Sequence, residues 1–213
     1  MDLNNNKFIK KILYAEADYN HEEIQAVTKV LENNHLSLMS GDNVKELEIK
    51  TANLFNKKFG LMVNSGSSAN LLGLLSLNLT KQTKIITPAL TFATTVAPIV
   101  QAGLIPLFVD VERETLQIDI SKLHNIDLTN VSGICVPNLI GNIANWEFIY
   151  NFAKENNLKV IEDSADTIGY KYKTNLKNWS DISTTSFYAS HLITGAGFGG
   201  MVSFNDEKYY ELA

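Results

Sequence analysis

The chain has 213 residues, of which 45% are hydrophobic and 19% are charged, so it can form one globular domain, or one domain and the beginning of another. Its formal net charge of −5 at pH 7 provides no basic field for a nucleic-acid backbone, but it does not exclude small nucleotide-like ligands. The single cysteine, Cys135, excludes an internal disulfide framework and an all-cysteine metal site, and its strand-like surroundings predict a core residue rather than a nucleophile.

Residues 1–14 carry no apolar segment of the kind that a secretory signal needs. No apolar run elsewhere reaches the length that spans a bilayer. We therefore expect a cytoplasmic protein with neither a membrane nor a nucleic acid as its partner.

Two amphipathic helices are predicted before any strand. The first covers His21 to Asn33, and the second covers Asp42 to Phe55 with Asp42 as a suitable N-cap. The apolar residues of the first helix recur at the spacing of one helix face, at Ile24, Val27, Val30 and Leu31.

From there on, short apolar runs alternate with longer helical segments. The runs are GLMVNS, KIITP, IPLFVDV, GICVPN, LKVIED, STTSFY and GMVSF, with helices predicted from Ser67, Thr94 and Trp146 and a last helix beginning in NDEKYYELA. This alternation predicts an α/β fold with a mainly parallel sheet and helices on both faces. Ligands bind beyond the carboxyl ends of such strands, so we expect the chemistry in residues 65–69, 90–92, 163–166 and 186–191.

Small and aromatic residues characterise the first two candidate ligand-binding segments, residues 65–69 and 90–92. NSGSSANL joins a strand to a helix through Gly66, Ser67 and Ser68, and backbone N–H groups at such a turn can bind an anion. A tight strand-to-helix turn explains the same residues equally well. In PALTFATTV, Phe92 can stack on a flat ring, but taken alone it is better explained as a core residue.

Acids and a histidine characterise the other two. LKVIEDSADTIG ends an apolar strand in Asp163, which either pairs with a protonated ring nitrogen or caps a helix at position 163 or 164, and Asp166 follows. The segment alone favours neither interpretation. SFYASHLITGAGFGG places Ser186 and His191 ahead of a glycine-rich turn; an isolated histidine is usually structural, yet a strand end also suits general acid–base catalysis.

Six segments in order resemble one known family. SGSSANL, ALTF, FVDV, VPNLIGN, IEDSAD and SFYASHLITGAGFGGM closely resemble the DegT/DnrJ/EryC1/StrS family of sugar aminotransferases, over about residues 35–210. The resemblance implies a fold-type I enzyme that uses pyridoxal phosphate and acts on nucleotide-linked keto-sugars. Together with the helix predicted from periodicity, we expect an N-terminal helical segment, residues 1–34, followed by the cofactor-binding large domain that the resemblance implies, residues 35–213, without the family's C-terminal small domain.

The resemblance assigns five residues to the phosphate and ring of the cofactor. Gly66, Ser67 and Ser68 correspond to the turn that holds the phosphate, and Ser186 corresponds to a serine that adds a phosphate contact. Phe92 corresponds to the aromatic side chain that stacks on the pyridine ring.

The resemblance also assigns the two aspartates, and at one position this sequence departs from the pattern of the family. Asp163 corresponds to the carboxylate paired with the pyridine nitrogen, and Asp166 stands where most members have a glutamine near the phenolic oxygen. His191 stands where most members, reading S-F-x-x-x-K, have a lysine that bonds covalently to the cofactor. A small branch, the nucleotide-sugar 3-dehydratases, carries histidine there, and residues 139–142 and Asp166 resemble its CDP-sugar members, such as CDP-4-keto-6-deoxyglucose 3-dehydratase.

Similarity to that branch implies a dehydration in deoxysugar synthesis for surface polysaccharide or lipopolysaccharide. Pyridoxamine phosphate, held noncovalently, condenses with the C4 ketone of a nucleotide-linked 4-keto-6-deoxyhexose. In the mechanism that the resemblance implies, His191 would remove a proton from the methylene carbon of the cofactor, and the C3 hydroxyl would leave.

Three further expectations follow from the resemblance. The iron–sulfur cluster of several CDP-sugar members is not expected, because Ser164 or Ala165 occupies the position of one of its cysteines, and no other metal is expected. A homodimer with sites at the subunit interface is implied. Since members are usually about twice this length, one alternative is an inactive or split half that needs a partner chain. Another alternative is an aminotransferase that works without the lysine.

Overall fold

The computed structural model describes residues 13, 16–33, 38, 40–170 and 178–213. Within these ranges the chain alternates strands with helices, as its sequence predicts. The helices are α1 (His21–Asn33), α2 (Asp42–Leu54), α3 (Gly66–Ser76), α4 (Ala93–Gln101), α5 (Ile120–Leu123), α6 (Trp146–Glu155) and α7 (Glu207–Leu212), with a 3-10 turn at Leu139–Gly141. The strands are β1 (Phe59–Val63), β2 (Lys84–Pro88), β3 (Ile105–Val109), β4 (Val131–Pro137), β5 (Lys159–Asp163), β6 (Ile182–Ser186) and β7 (Gly200–Phe204).

The seven strands form one sheet in the order β1-β7-β6-β5-β4-β2-β3. Neighbouring strands from β3 to β6 pair in parallel, and β7 runs antiparallel to both β6 and β1. The prediction of a mainly parallel sheet is confirmed. The carboxyl ends of β4, β5 and β6 therefore meet at one edge, where the three strands deliver Pro137, Asp163 and Ser186.

Apolar side chains cover both faces of the sheet, which confirms that helices lie on both. On β4, Ile134 and Val136 join a core cluster that includes Trp146 of α6, whereas Cys135 between them joins the opposite cluster, which includes Ala69 of α3. This alternation follows from the two-residue period of a strand. Cys135 is a buried free thiol, as predicted for a core residue, and burial raises its pKa.

The structure corrects details of the helix boundaries: α4 begins at Ala93, one residue before the predicted Thr94, and α2 ends at Leu54 and not at Phe55. Gly41, not Asp42, is the N-cap of α2 and makes no side-chain capping bond, so Asp42 begins the helix and its charge complements the helix dipole there. Ser65 accepts a hydrogen bond from the Ser68 amide, and this cap starts α3 at Gly66, one residue earlier than predicted.

The predicted N-terminal helical segment, residues 1–34, includes α1, none of whose residues is buried. Residues 1–12, 14, 15 and 34 of that segment lie outside the described part of the chain. Among the described ranges, no helix is both long enough and apolar enough to cross a membrane.

One buried lysine, Lys57, lies just before β1, beside the residues that precede β6. The residue is 3% exposed, and its Nζ donates to the Ser180 carbonyl, to Ser180 Oγ at 3.1 Å and to Asn178 Oδ1. Burial lowers the pKa of Lys57 from its ordinary value of 10.5 to about 8, against the attraction of Glu162 and Asp181.

This residue predicts a pH dependence of stability. Between pH 8 and 10.5 the unfolded chain binds a proton at Lys57 that the folded chain has released, so the free energy of unfolding rises with pH across that window. The expected rise is up to about 3 kcal/mol, measured by urea unfolding at stepped pH. Lys57→Met should remove the rise, while Lys58→Met, at the exposed neighbouring residue, should keep it. Equal slopes in the two variants contradict the assignment to Lys57.

Candidate active site

A cavity of about 800 Å³ opens at the carboxyl edge of the sheet. Strand ends and helix starts form its wall, as expected for this architecture. The predicted site residues among its lining are Gly66, Ser67, Phe92, Asp163, Asp166, Ser186 and His191. Ser68, the remaining one, is part of the α3 cap, where its amide donates to Ser65 Oγ at 3.1 Å and its Oγ accepts from Ser65 Oγ at 3.2 Å.

The start of α3 approaches the end of β6 closely. A Cβ at Gly66 would lie 2.7 Å from Ser186 Cβ, so only glycine allows this approach. Ser186 Oγ accepts a hydrogen bond from the Tyr188 amide at 3.2 Å, and both residues line the cavity. A helix start and a serine hydroxyl at one end of the cavity form an environment suited to an anion.

Asp163, a buried residue that is 6% exposed, ends β5. Its Oδ2 accepts hydrogen bonds from Asn70 Nδ2 and Thr95 Oγ1, each at 2.8 Å, and its Oδ1 accepts from the Ala165 amide at 3.2 Å. Burial raises the pKa of Asp163, and these hydrogen bonds oppose that effect. Residues 164–170 form turns and no helix, so the helix-cap interpretation is wrong.

The two helix residues that contact Asp163 were missed by sequence reasoning. Asn70 is 5% exposed on α3, and Thr95 is 1% exposed on α4. The available signal is weak: Asn70 is a polar residue in the otherwise apolar run ANLLGLL, four residues after Gly66 and so on the same helix face.

Phe92 is the N-cap residue of α4, and 70% of it is exposed beside the cavity. The interpretation of Phe92 as a core residue is therefore wrong. An exposed aromatic face at this edge is available to stack on a planar ligand.

His191 lies in the connection from β6 to β7. Its side chain is 19% exposed, and its Nδ1 lies 3.7 Å from Asp166 Oδ1. The other oxygen, Asp166 Oδ2, accepts from the Ile140 amide at 2.8 Å, and Ile140 adopts the left-handed conformation with φ 52°. Asp166 is thus held on the 3-10 turn with one oxygen directed toward the imidazole.

The glycine-rich segment folds back over the end of β1. Gly199, at φ 136°, donates its amide to the Asn64 carbonyl at 3.0 Å, and its carbonyl accepts from the Phe187 amide at 2.9 Å. These bonds close the loop that carries His191 along the cavity wall.

A third missed residue, Asn138, supports the part of the cavity wall that carries Asp166. Asn138 Oδ1 accepts from the Ala144 amide at 3.1 Å and from Trp146 Nε1 at 3.0 Å, and Asn138 Nδ2 donates to Ser164 Oγ at 2.8 Å. This side chain ties the turn that holds Asp166 to the start of α6. Within the described ranges, no three His, Cys, Asp or Glu side chains are grouped so that they could hold a metal ion.

The family profile of the DegT/DnrJ/EryC1/StrS aminotransferases matches residues 17–213. The chain belongs to this family. The match begins inside the segment before α1, and so it reaches further toward the N-terminus than the motifs in the sequence alone indicate.

Several relatives in the family resemble the chain over nearly all of its length. GDP-4-keto-6-deoxy-D-mannose 3-dehydratase of Yersinia pseudotuberculosis is 30% identical over 206 residues, which are 93% of this chain and 51% of the relative. GDP-perosamine synthase of Escherichia coli O157:H7 is 34% identical over 191 residues, 89% of this chain and 52% of the relative. The chain spans about half the length of the curated relatives it matches.

A solved family structure shares the fold. The crystal structure of a GDP-4-keto-6-deoxymannose-3-dehydratase with a trapped PLP-glutamate geminal diamine superposes with a TM-score of 0.87 at 30% identity. The superposition covers 95% of this chain and 54% of that one. It supports the fold-type I architecture predicted from the sequence.

Proposed function

We propose that the protein catalyses the 3-dehydration of a nucleotide-linked 4-keto-6-deoxyhexose with pyridoxamine or pyridoxal phosphate, in deoxysugar synthesis for surface polysaccharide. The observation that carries the proposal is His191, an imidazole at the position of the family's lysine, on the wall of the cavity that Asp163 also lines. The dehydratases among the relatives support the reaction class.

The residues of the cavity fit a phosphorylated pyridine. Gly66 and Ser67 at the start of α3, with Ser186, suit the phosphate, and the exposed ring of Phe92 suits the pyridine face. The buried carboxylate of Asp163 suits a protonated ring nitrogen, since an ionised group at this depth needs an oppositely charged partner. When bound, the cofactor supplies a ring into which electrons from the reacting bonds can be delocalised.

His191 is the proposed proton-transfer residue. Asp166 beside Nδ1 favours the tautomer with a proton on that nitrogen and leaves Nε2 as the atom that accepts a proton. The proton that Nε2 removes is then available to the departing C3 hydroxyl, which leaves as water. An imidazole moves protons but forms no stable covalent tether to an aldehyde, as the amine of a lysine would.

The direct test supplies the purified protein with pyridoxamine phosphate and GDP- or CDP-linked 4-keto-6-deoxyhexose. We expect a near-ultraviolet band on cofactor binding and a sugar product that has lost water at C3, identified by mass spectrometry and NMR. Absence of both the band and the product, when the chain that completes the enzyme is supplied as well, contradicts the proposal.

An aminotransferase is the second candidate, favoured by the similarity to GDP-perosamine synthase. Accumulation of an amino-sugar in the same assay with glutamate would support it. The absence of a lysine at position 191 favours dehydration instead.

Two kinds of protein partner belong to the proposal. Exposed apolar side chains lie at and beside the cavity, including Phe92 and Ile140 on its lining and Leu192 and Phe198, which are 74% and 75% exposed. Such a surface suits a homodimer interface next to the site. The half-length match to the relatives suits a further chain that supplies the second half of the enzyme. Analytical ultracentrifugation of the chain tests the dimer.

A further inference from the structure

Two side chains from different helices contact one oxygen of Asp163. Asn70 Nδ2 on α3 and Thr95 Oγ1 on α4 each lie 2.8 Å from Asp163 Oδ2. Both are almost fully buried, so water does not compete for either bond. Two helices thus deliver two donors to a single acceptor at the end of β5.

The orientation of the Asn70 amide is fixed by its other contacts. Asn70 Nδ2 also donates to the Thr94 carbonyl oxygen at 3.1 Å, and a carbonyl can only accept. On the other side, Asn70 Oδ1 accepts from Thr184 Oγ1 at 2.5 Å. A flipped amide would oppose two oxygens at the Thr94 carbonyl, so the N–H toward Asp163 Oδ2 is the only consistent arrangement.

The Thr95 hydroxyl is oriented in the same way. Thr91 Oγ1 donates to Thr95 Oγ1 at 2.9 Å, so the Thr95 proton points to Asp163 Oδ2. Oδ2 therefore accepts two oriented bonds, whereas Oδ1 accepts one, from the Ala165 amide at 3.2 Å. Because each carboxylate oxygen has two lone pairs, Oδ1 keeps the capacity for a further donor.

We propose that Asn70 and Thr95 are positioning residues that hold Asp163 ionised and reserve its Oδ1 for the N–H of a protonated ring nitrogen. The inference rests on the cofactor binding proposed above and adds two residues that act on it only through Asp163.

The consequence is a defined response to pH. Hydrogen bonds from Asn70 and Thr95 lower the pKa of Asp163 against the larger effect of burial, which raises it. Loss of either donor raises the pKa further. A neutral carboxyl holds a charged ring nitrogen poorly, so cofactor binding then fails at a higher pH than in the unaltered protein.

The experiment measures the dissociation constant of pyridoxamine 5′-phosphate from pH 5 to 8 by absorbance and fluorescence. Thr95→Val and Asn70→Leu should each weaken binding about tenfold near neutral pH and move the acid limit of binding upward. Thr95→Ser, which keeps the donor, should restore binding to within about twofold of the unaltered protein. Thr83→Val is the matched control. The Thr83 hydroxyl hydrogen-bonds to Ser132 Oγ at 2.7 Å, and neither residue lines the cavity.

The outcomes separate this inference from the function on which it rests. If Asp163→Asn loses binding while Thr95→Val and Asn70→Leu bind normally at every pH, the proposed positioning role of Asn70 and Thr95 is overturned. If Asp163→Asn also binds normally, the proposed cofactor site fails instead. Circular dichroism checks the fold of each variant. If Asn70→Leu does not fold, the comparison of Thr95→Val with Thr95→Ser is sufficient to test the proposal.

Discussion

Replacing His191 with asparagine is expected to lower the rate of dehydration about a thousandfold, the typical contribution of a positioned acid–base group. Asparagine is similar in size and can donate a hydrogen bond toward Asp166, but it has no nitrogen that accepts a proton at neutral pH. Binding of pyridoxamine phosphate should persist, because the proposed phosphate and ring contacts are unchanged. The measurement is product formation under single-turnover conditions.

His124→Asn is the matched control, since this exposed histidine lies at the end of α5 and is not part of the cavity lining. Its turnover should equal that of the unaltered protein. Unchanged turnover in the His191 variant would remove the residue from the proposed mechanism.

A lysine at the same position provides a readout without turnover. His191→Lys places an amine where the aldehyde form of the cofactor can bond to it covalently. After borohydride reduction and denaturation, mass spectrometry should find the cofactor attached to this variant and not to the unaltered protein. No attachment in the variant contradicts the placement of His191 beside the cofactor.

The second large effect is expected at Asp163. Asp163→Asn removes the only negative charge proposed to face the ring nitrogen, so pyridoxamine phosphate should bind at least about a hundredfold more weakly. Asp127→Asn, at an exposed carboxylate near Lys84, is the control for a change of charge and should bind normally. The measurement is the same spectroscopic titration.

Loss of binding in that variant is separable from loss of fold. Burial raises the pKa of Asp163 above its value in the unfolded chain. Between these two pKa values, the folded protein without ligand loses stability as the pH rises, because the unfolded chain ionises its carboxyl first. Asp163→Asn removes this dependence. The free energy of unfolding of the variant should therefore not fall with pH in that range, as urea unfolding can show, even though its ligand binding is lost.

The sequence predicts most of the helices and strands because apolar residues recur with a different period in each. Runs such as KIITP and GMVSF are continuous and apolar, which indicates buried strands, and α1 repeats its apolar residues at helical spacing. The position of β7 was not predictable in this way. An antiparallel strand between β6 and β1 has the same apolar pattern as a parallel one, and only the sheet order distinguishes them.

The candidate site residues at strand ends were predictable, and the residues that hydrogen-bond to them were not. Asp163 and Ser186 stand out because they end apolar strands at the edge where ligands bind. Asn70, Thr95 and Asn138 act through contacts between segments far apart in the chain, such as the 93 residues that separate Asn70 from Asp163. A local pattern carries no information on such pairings. Phe92 shows the opposite error, since its apolar type alone suggested burial.

The place of β7 in the sheet has a consequence for the order in which the protein folds during synthesis. Among the described strands, β1 pairs with β7 alone, in a register that sets Phe59 opposite Phe204. Of these strands, β1 leaves the ribosome first and is the last to gain a neighbour, because β7 follows strands β2 to β6 in the chain. Until residue 204 emerges, β1 lacks the described strand with which it pairs, so the nascent chain carries an apolar segment that chaperones can recognise. Closure between β7 and β1 is then the late, slow step, because contacts so distant in sequence form slowly.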